Sequence, residues 1–194
     1  VLDRILRHNL YNKMNLILGH AELLEARTDG EIHRSARKIR QTGDELVSLA
    51  DKERRIVDLL TDDSKPRRVE VDSLVEEVVA ECRETHPDQE ISVESPAGYA
   101  VRAIPEIRDA LAELIENAIV HAGETPEVSV SVARTDDRVA ITVTDTGPGI
   151  PEMERQAAQG AADITPLFHG SGLGLQFVYH AAKRSGGTLR FASP

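Results

Sequence analysis

The sequence has one cysteine, Cys82, no tryptophan, three tyrosines and three phenylalanines in 194 residues. One thiol cannot close an internal disulfide, and a cysteine-based zinc site is excluded with it. Aromatics at 3% leave too few rings for a base- or sugar-stacking surface, so the core must be aliphatic. No apolar run approaches the ~18 residues that cross a bilayer. Val1-Leu2-Asp3-Arg4 lacks the charged-then-apolar order of a signal peptide. The chain is therefore expected to hold no membrane segment and to be cytoplasmic, with any sensing part or membrane tether lying outside it. Lysine is confined to positions 13, 38, 52, 65 and 183, and acid outnumbers base by 33 to 23. The resulting field repels phosphate backbones, and Arg67-Arg68 is too short to be a basic patch, so no nucleic-acid partner is expected.

What is present suffices for a packed core: 40% of the residues are hydrophobic, in a length that suits one large domain or two small ones. No proline precedes Pro66, and residues 1–61 read as two helices broken at Thr28-Asp29-Gly30. In the second, Ile32, Ala36, Ile39, Gly43, Leu46, Ala50, Val57 and Leu60 alternate in steps of four and three, interrupted at Glu53, which is a heptad seam. Leu10, Met14, Ile17, Ala21 and Leu24 repeat the pattern in the first. A lone hairpin cannot bury two such stripes, so the expectation is a homodimer joined as a four-helix bundle.

Residues 62–68, polar and carrying Pro66, read as a linker, and 69–194 as a second domain. There Val69-Glu70-Val71 reads as a strand, Ser73-x-x-Glu76 as a capping box opening a helix, and 91–94 and 99–104 as strands around the 96–98 turn. A helix follows Pro105 to about Ala122. Val128, Val130 and Val132, then Val139, Ile141 and Val143, give a hairpin with one buried face. The Ala-rich stretch 156–162 reads as low-complexity and mobile. A last helix runs from Leu173 to about Ser185, and 188–192 reads as a strand. Strands grouped with helices make the second half a two-layer α+β sandwich.

Three clusters carry chemistry. Strand parity turns Asp145 inward with Val139, Ile141 and Val143, just before the Gly147-Pro148-Gly149 turn, where it can either cap the turn or meet a ligand's amine. Gly170-Ser171-Gly172-Leu173-Gly174 precedes a helix, so its amides suit a phosphate. It is no Walker loop, because no Lys follows. Glu113 and Asn117, four apart, share a helix flank beside Ile107, Leu111, Leu114 and Ala118. They are either two polar residues on a half-exposed face or oxygen ligands of the kind that suit Mg²⁺.

In this order, Glu113-Leu114-Ile115-Glu116-Asn117-Ala118, Asp145-x-Gly147-x-Gly149 and Gly170-x-Gly172-x-Gly174 resemble the N, G1 and G2 boxes of the Bergerat-fold ATPases, over roughly residues 69–194. That family includes sensor histidine kinases, gyrase-type topoisomerases and chaperone ATPases. The resemblance implies that Asn117 coordinates Mg²⁺, Asp145 binds the adenine amine of ATP, and Gly147 and Gly149 line the base pocket. Gly170, Ser171, Gly172, Leu173 and Gly174 then hold the phosphates, beneath a lid formed by about 150–169. The helical hairpin singles out the histidine kinases: Arg7-His8-Asn9-Leu10-Tyr11-Asn12 resembles their H box, which makes His8 the phosphoacceptor. The segments around His8 and at Asn15-Leu16-Ile17-Leu18-Gly19 look most like the halophilic archaeal branch. Helix geometry separately sets His8 opposite the stripe of Leu10, Met14, Ile17 and Leu24, facing solvent.

The match has departures. Asn9 stands where the family carries a carboxylate that accepts the imidazole proton, and an amide can only hydrogen-bond. Asn12 fits the position that orients water for dephosphorylation of a response-regulator receiver domain, the implied partner. Glu113 matches the water-activating glutamate of gyrase-type ATPases, which keeps a hydrolytic ATPase as one rival; a non-catalytic nucleotide-binding dimerisation scaffold is another. Val120 replaces a usual basic residue, leaving His121, Arg155 or His169 as substitutes, although His121 falls within the apolar stripe and reads as packed.

Overall fold

The computed structural model describes residues 2–95, 98–122, 127–135, 137–159 and 171–192, without the side chains of 2–8 and 171. It divides into two compact units, Val1–Arg54 and Arg55–Pro194. In the first, helix α1 (Leu2–Arg27) turns at Gly30, whose φ of 67° is cheap only for glycine, into α2 (Gly30–Thr61). Small residues meet inside the hairpin. Ala21, Ala36 and Gly43 are buried, and Leu18 and Met14 pack onto Gly43 where a side chain would otherwise stand. Tyr11 donates to Asp51 at 2.6 Å, and Arg40 holds Glu25 at 2.7 Å, which lowers the Glu25 carboxyl below its usual range. Leu10, Ile17, Leu24, Ile32, Ile39 and Leu46 remain exposed.

The second unit begins inside α2. Ile56 and Leu59 are buried with Ile104, Ala110, Phe177, Val178 and Ala181. The sequence-based boundary after residue 61 therefore falls two turns beyond the point where contacts divide the chain. Of residues 62–68, read as a linker, Arg67 and Arg68 belong to a strand, and the stretch before them is fastened: Arg184 donates to the carbonyls of Leu59, Asp62 (2.7 Å) and Ser64 (3.2 Å). Strand β1 (Arg67–Glu70) pairs antiparallel with β3 (Ala100–Ala103). Between them lie α3 (Val71–Thr85) and β2 (Glu90–Glu94). Helix α3 starts at Val71, directly from β1 and with no side-chain cap, so Ser73-x-x-Glu76 is not the helix start. Ser73 is already inside the helix, because buried Val71 begins the apolar face.

Strands β4 (Glu127–Thr135) and β5 (Arg138–Asp145) form an antiparallel pair, and β2 joins β4 in parallel, giving the order β2-β4-β5. The strands expected on either side of a 96–98 turn are thus not partners but belong to different sheets. Helices α3 and α4 (Ile107–His121) cover the three-stranded sheet through Val75, Val78, Val79, Leu111 and Ile115 against Val128, Val130 and Val132. Burying each such side chain contributes ~1.5–3 kcal/mol. Two further helices follow, α5 (Glu152–Ala158) and α6 (Ser171–Arg184). The first three residues of the Ala-rich 156–162 stretch lie in α5, with Ala157 and Ala158 buried, and its last three lie outside the described residues. Residues 188–192 form no strand, since no described strand pairs with them. The overall class is the expected one: a helical hairpin followed by a two-layer α/β sandwich. Among the described residues, no helix is long and apolar enough to cross a membrane.

Candidate functional site

Helix α4 is the axis on which the three clusters meet. One flank faces the sheet core, and another carries Ala110 and Leu114 toward α6. Glu113 points along this second flank. It lies inside the protein at 4% exposure rather than at the rim, and Arg55 donates to its Oε2 at 3.2 Å. The Arg55 guanidinium also stands 4.4 Å from the centre of the Phe177 ring and 3.9 Å from Asp109. Gly174, in the first turn of α6, is pressed against Glu113, and a Cβ there would overlap the carboxylate. Glycine is needed at 174 to let α6 approach α4, whatever else it does.

Asn117, one turn after Glu113, is half-buried, and its Nδ2 is buried with no hydrogen-bond partner among the described residues. A buried amide left so costs free energy, which marks a place where a polar ligand fits. At the C-terminal end of α4, the turn after β5 closes down. Asp145 is half-buried at the end of β5, opposite Val128, as its parity with Val139, Ile141 and Val143 predicts. Its Oδ1 accepts from the Gly147 amide at 2.8 Å, so Asp145 does cap its turn. A carboxylate has about four lone-pair sites, and capping occupies one. Gly147 lies beneath the His121 carbonyl and 3.0 Å from Ala122 Cα, measured from the position of an added Cβ. Gly149 has φ 76°, the left-handed region. Thr146 Oγ1 ties the turn to the start of β4 by accepting from Glu127 N–H at 3.3 Å.

Gly172 and Gly174 are buried in the first turn of α6 and Leu173 is half-buried, packed against the Phe177 cluster. Gly170 and the side chain of Ser171 lie outside the described residues, as does 160–169 of the expected lid. The lid's described part, α5, is fastened to α6, because Gln176 Nε2 donates to the Ala157 carbonyl at 3.2 Å. His8 belongs to α1, but its side chain is outside the described residues, whereas Asn9 and Asn12 are exposed. His121 is exposed, not packed, because its position at the last turn of α4 carries it past the core. Arg155 lies 3.4 Å from Glu152 on α5. His169 is outside the described residues.

Sequence reasoning missed Arg55, Phe177 and Arg184. Arg55 lies two residues after Glu53, where the heptad seam is interrupted, a local sign that the helix changes neighbours there.

Residues 103–194 match the family described as histidine kinase-, DNA gyrase B-, and HSP90-like ATPase. The sensor-type histidine kinase PrrB of Mycobacterium leprae is 32% identical over 162 residues, 82% of this chain and 35% of that protein. The sensor-like histidine kinase SenX3 of Mycobacterium bovis is 32% identical over 63% of this chain and 32% of its own length. The chain thus spans about a third of these curated relatives. Full-length ShkA in complex with AMPPNP has the same fold across 94% of this chain and 40% of its own, with a TM-score of 0.62 at 23% identity. The ATP-binding domain of PrrB from Mycobacterium tuberculosis covers 63% of this chain and 83% of that domain, with a TM-score of 0.51 at 29% identity.

Proposed function

We propose that residues 103–194, which match the histidine kinase-, DNA gyrase B-, and HSP90-like ATPase family, form an ATP-binding domain and that this chain is the catalytic core of a sensor histidine kinase. It autophosphorylates His8 from ATP and passes the phosphoryl group to an aspartate of a response-regulator receiver domain. The observation that carries the reading is the convergence on α4. The Asn117 amide, unpartnered among the described residues, the Asp145–Gly147 turn at the C-terminal end of α4 and the glycines of α6 beside Glu113 all border one helix.

Asp145 receives the adenine amine on lone pairs that capping leaves over, and Gly147 and Gly149 keep side chains out of the base pocket. Amides of 170–174 take the phosphates. Asn117 fits Mg²⁺ by donor chemistry, a hard oxygen on a half-buried amide, and the ion when bound neutralises phosphate charge. An imidazole nitrogen of His8 attacks the γ-phosphorus in line as the bond to the ADP oxygen breaks, and the imidazole loses its proton. Asn9 cannot accept that proton, so water takes it and the transfer is slow. Asn12 orients the water that dephosphorylates the regulator.

The burial and ion pairing of Glu113 argue against a role in activating water, and with it against the gyrase-type rival. The exposed seam of Ile32, Ile39, Leu46, Leu10, Ile17 and Leu24 is the face a second copy covers in a four-helix homodimer. ATP and the receiver domain place this work in the cytoplasm. The halophilic archaeal affinity rests on hairpin segments alone and finds no support in the mycobacterial relatives.

The test is His8→Gln in the full chain. Acid-labile label from γ-labelled ATP should vanish while nucleotide affinity stays within about twofold. Label persisting in this variant overturns the assignment, and steady phosphate release that depends on Glu113 but not on His8 restores the hydrolytic reading.

A further inference from the structure

Glu113 places a carboxylate where the proposed site can least tolerate one. It is 4% exposed and lies against Gly174, in the first turn of α6, the turn assigned to the phosphates of ATP. A helix N-terminus favours anions, so an ionised glutamate there competes with the triphosphate and repels it. Arg55 supplies the compensating charge: Nη1 on Glu113 at 3.2 Å, with its guanidinium plane held by Phe177 at 4.4 Å. Asp109, at 3.9 Å and half-exposed, shares the cation but faces water.

We propose that Arg55 is a positioning residue for nucleotide binding, which neutralises Glu113 beside the glycine turn and so lets a triphosphate enter. This rests on the ATP-binding reading above. The arginine belongs to the last turns of α2, so the helix that leads out of the hairpin supplies a charge on which the ATP site depends.

The experiment is calorimetric titration of the full chain with AMPPNP at millimolar magnesium, using wild type, Arg55→Ala, Arg55→Lys and Arg55→Ala/Glu113→Gln. Taking the guanidinium charge away from the buried carboxylate beside the phosphates predicts about tenfold weaker binding for Arg55→Ala. Removing the glutamate charge in the double variant should return affinity to within about twofold of wild type. Arg55→Lys, which keeps the charge and loses the fork, should fall between wild type and Arg55→Ala. A packing defect would instead persist in the double variant.

Wild-type affinity in Arg55→Ala, or a double variant as weak as Arg55→Ala, overturns the proposal. Should Arg55→Ala not fold, the decision passes to Arg55→Lys against Arg55→Met/Glu113→Gln, where the charge-free pair must bind at least as tightly as the lysine variant. Failure of wild type to bind AMPPNP sinks the ATP-binding reading itself, and this inference with it.

Discussion

Replacing Gly147 by alanine puts a methyl group where the turn after β5 meets α4. It would fall on the His121 carbonyl, 2.7 Å from Asp145 Oδ1 and 3.0 Å from Ala122 Cα. Two of these neighbours are backbone, so no flexible side chain can swing away to relieve the overlap. The turn and the helix end must part, at an overpacking cost of ~1–3 kcal/mol. Separation also strains the 2.8 Å bond from the Gly147 amide to Asp145; a hydrogen bond to a charged group contributes ~1.5–3 kcal/mol, less at a half-buried site. Against this, alanine restricts the unfolded chain, a gain of ~0.4–1 kcal/mol. The net is a destabilisation of ~2–3 kcal/mol, or about 5–10 °C in Tm for a unit of this size.

Gly149 is the control. Its φ of 76° is strained for alanine, but among the described residues nothing lies within 4 Å of an added Cβ, so the loss there is only ~1 kcal/mol after the same unfolded-state gain. Urea unfolding of the two variants, followed by circular dichroism, decides the matter. If Gly147→Ala is no less stable than Gly149→Ala, the turn is not seated on the end of α4 and the proposed base pocket is wrong.

Asp145→Asn should weaken AMPPNP binding by ~10–100-fold, the loss of a charge-assisted hydrogen bond, with little change in Tm; calorimetry within twofold of wild type would contradict the adenine role. Arg184→Gln, which frees the carbonyls of Leu59, Asp62 and Ser64, should cost ~2–3 kcal/mol in urea unfolding and expose 59–64 to limited proteolysis. Ile39→Glu with Leu46→Glu should halve the mass seen in light scattering, and an unchanged mass would remove that seam from the dimer contact. His180 has its pKa lowered, chiefly by burial and secondarily by Lys183, so the folded state prefers neutral imidazole and the unfolded chain takes up the proton first. Its stabilisation is complete above about pH 6.5 and is lost as pH falls below that value. His180→Gln should therefore flatten the pH dependence of Tm between pH 7 and 5.

Much of the molecule is legible in local pattern. The two helices of the hairpin, the turn at Gly30, α4 and α6, and the facing of β4 and β5 follow from periodicity and turn residues, because side-chain direction depends only on local backbone geometry. Asp145 points inward for the same reason, and the Glu113–Asn117 spacing already implies a shared flank. The tertiary structure decided which strands pair: β2 and β3 are neighbours in sequence yet join β4 and β1, since ladder partners are chosen by packing over long separations. It decided that the last turns of α2 belong with the second unit, because Ile56 and Leu59 find apolar partners there in α6. It also decided that Glu113 is buried, since the close approach of α6 at Gly174 removes that carboxylate from water, and the Arg55 guanidinium offsets the cost of burying its charge.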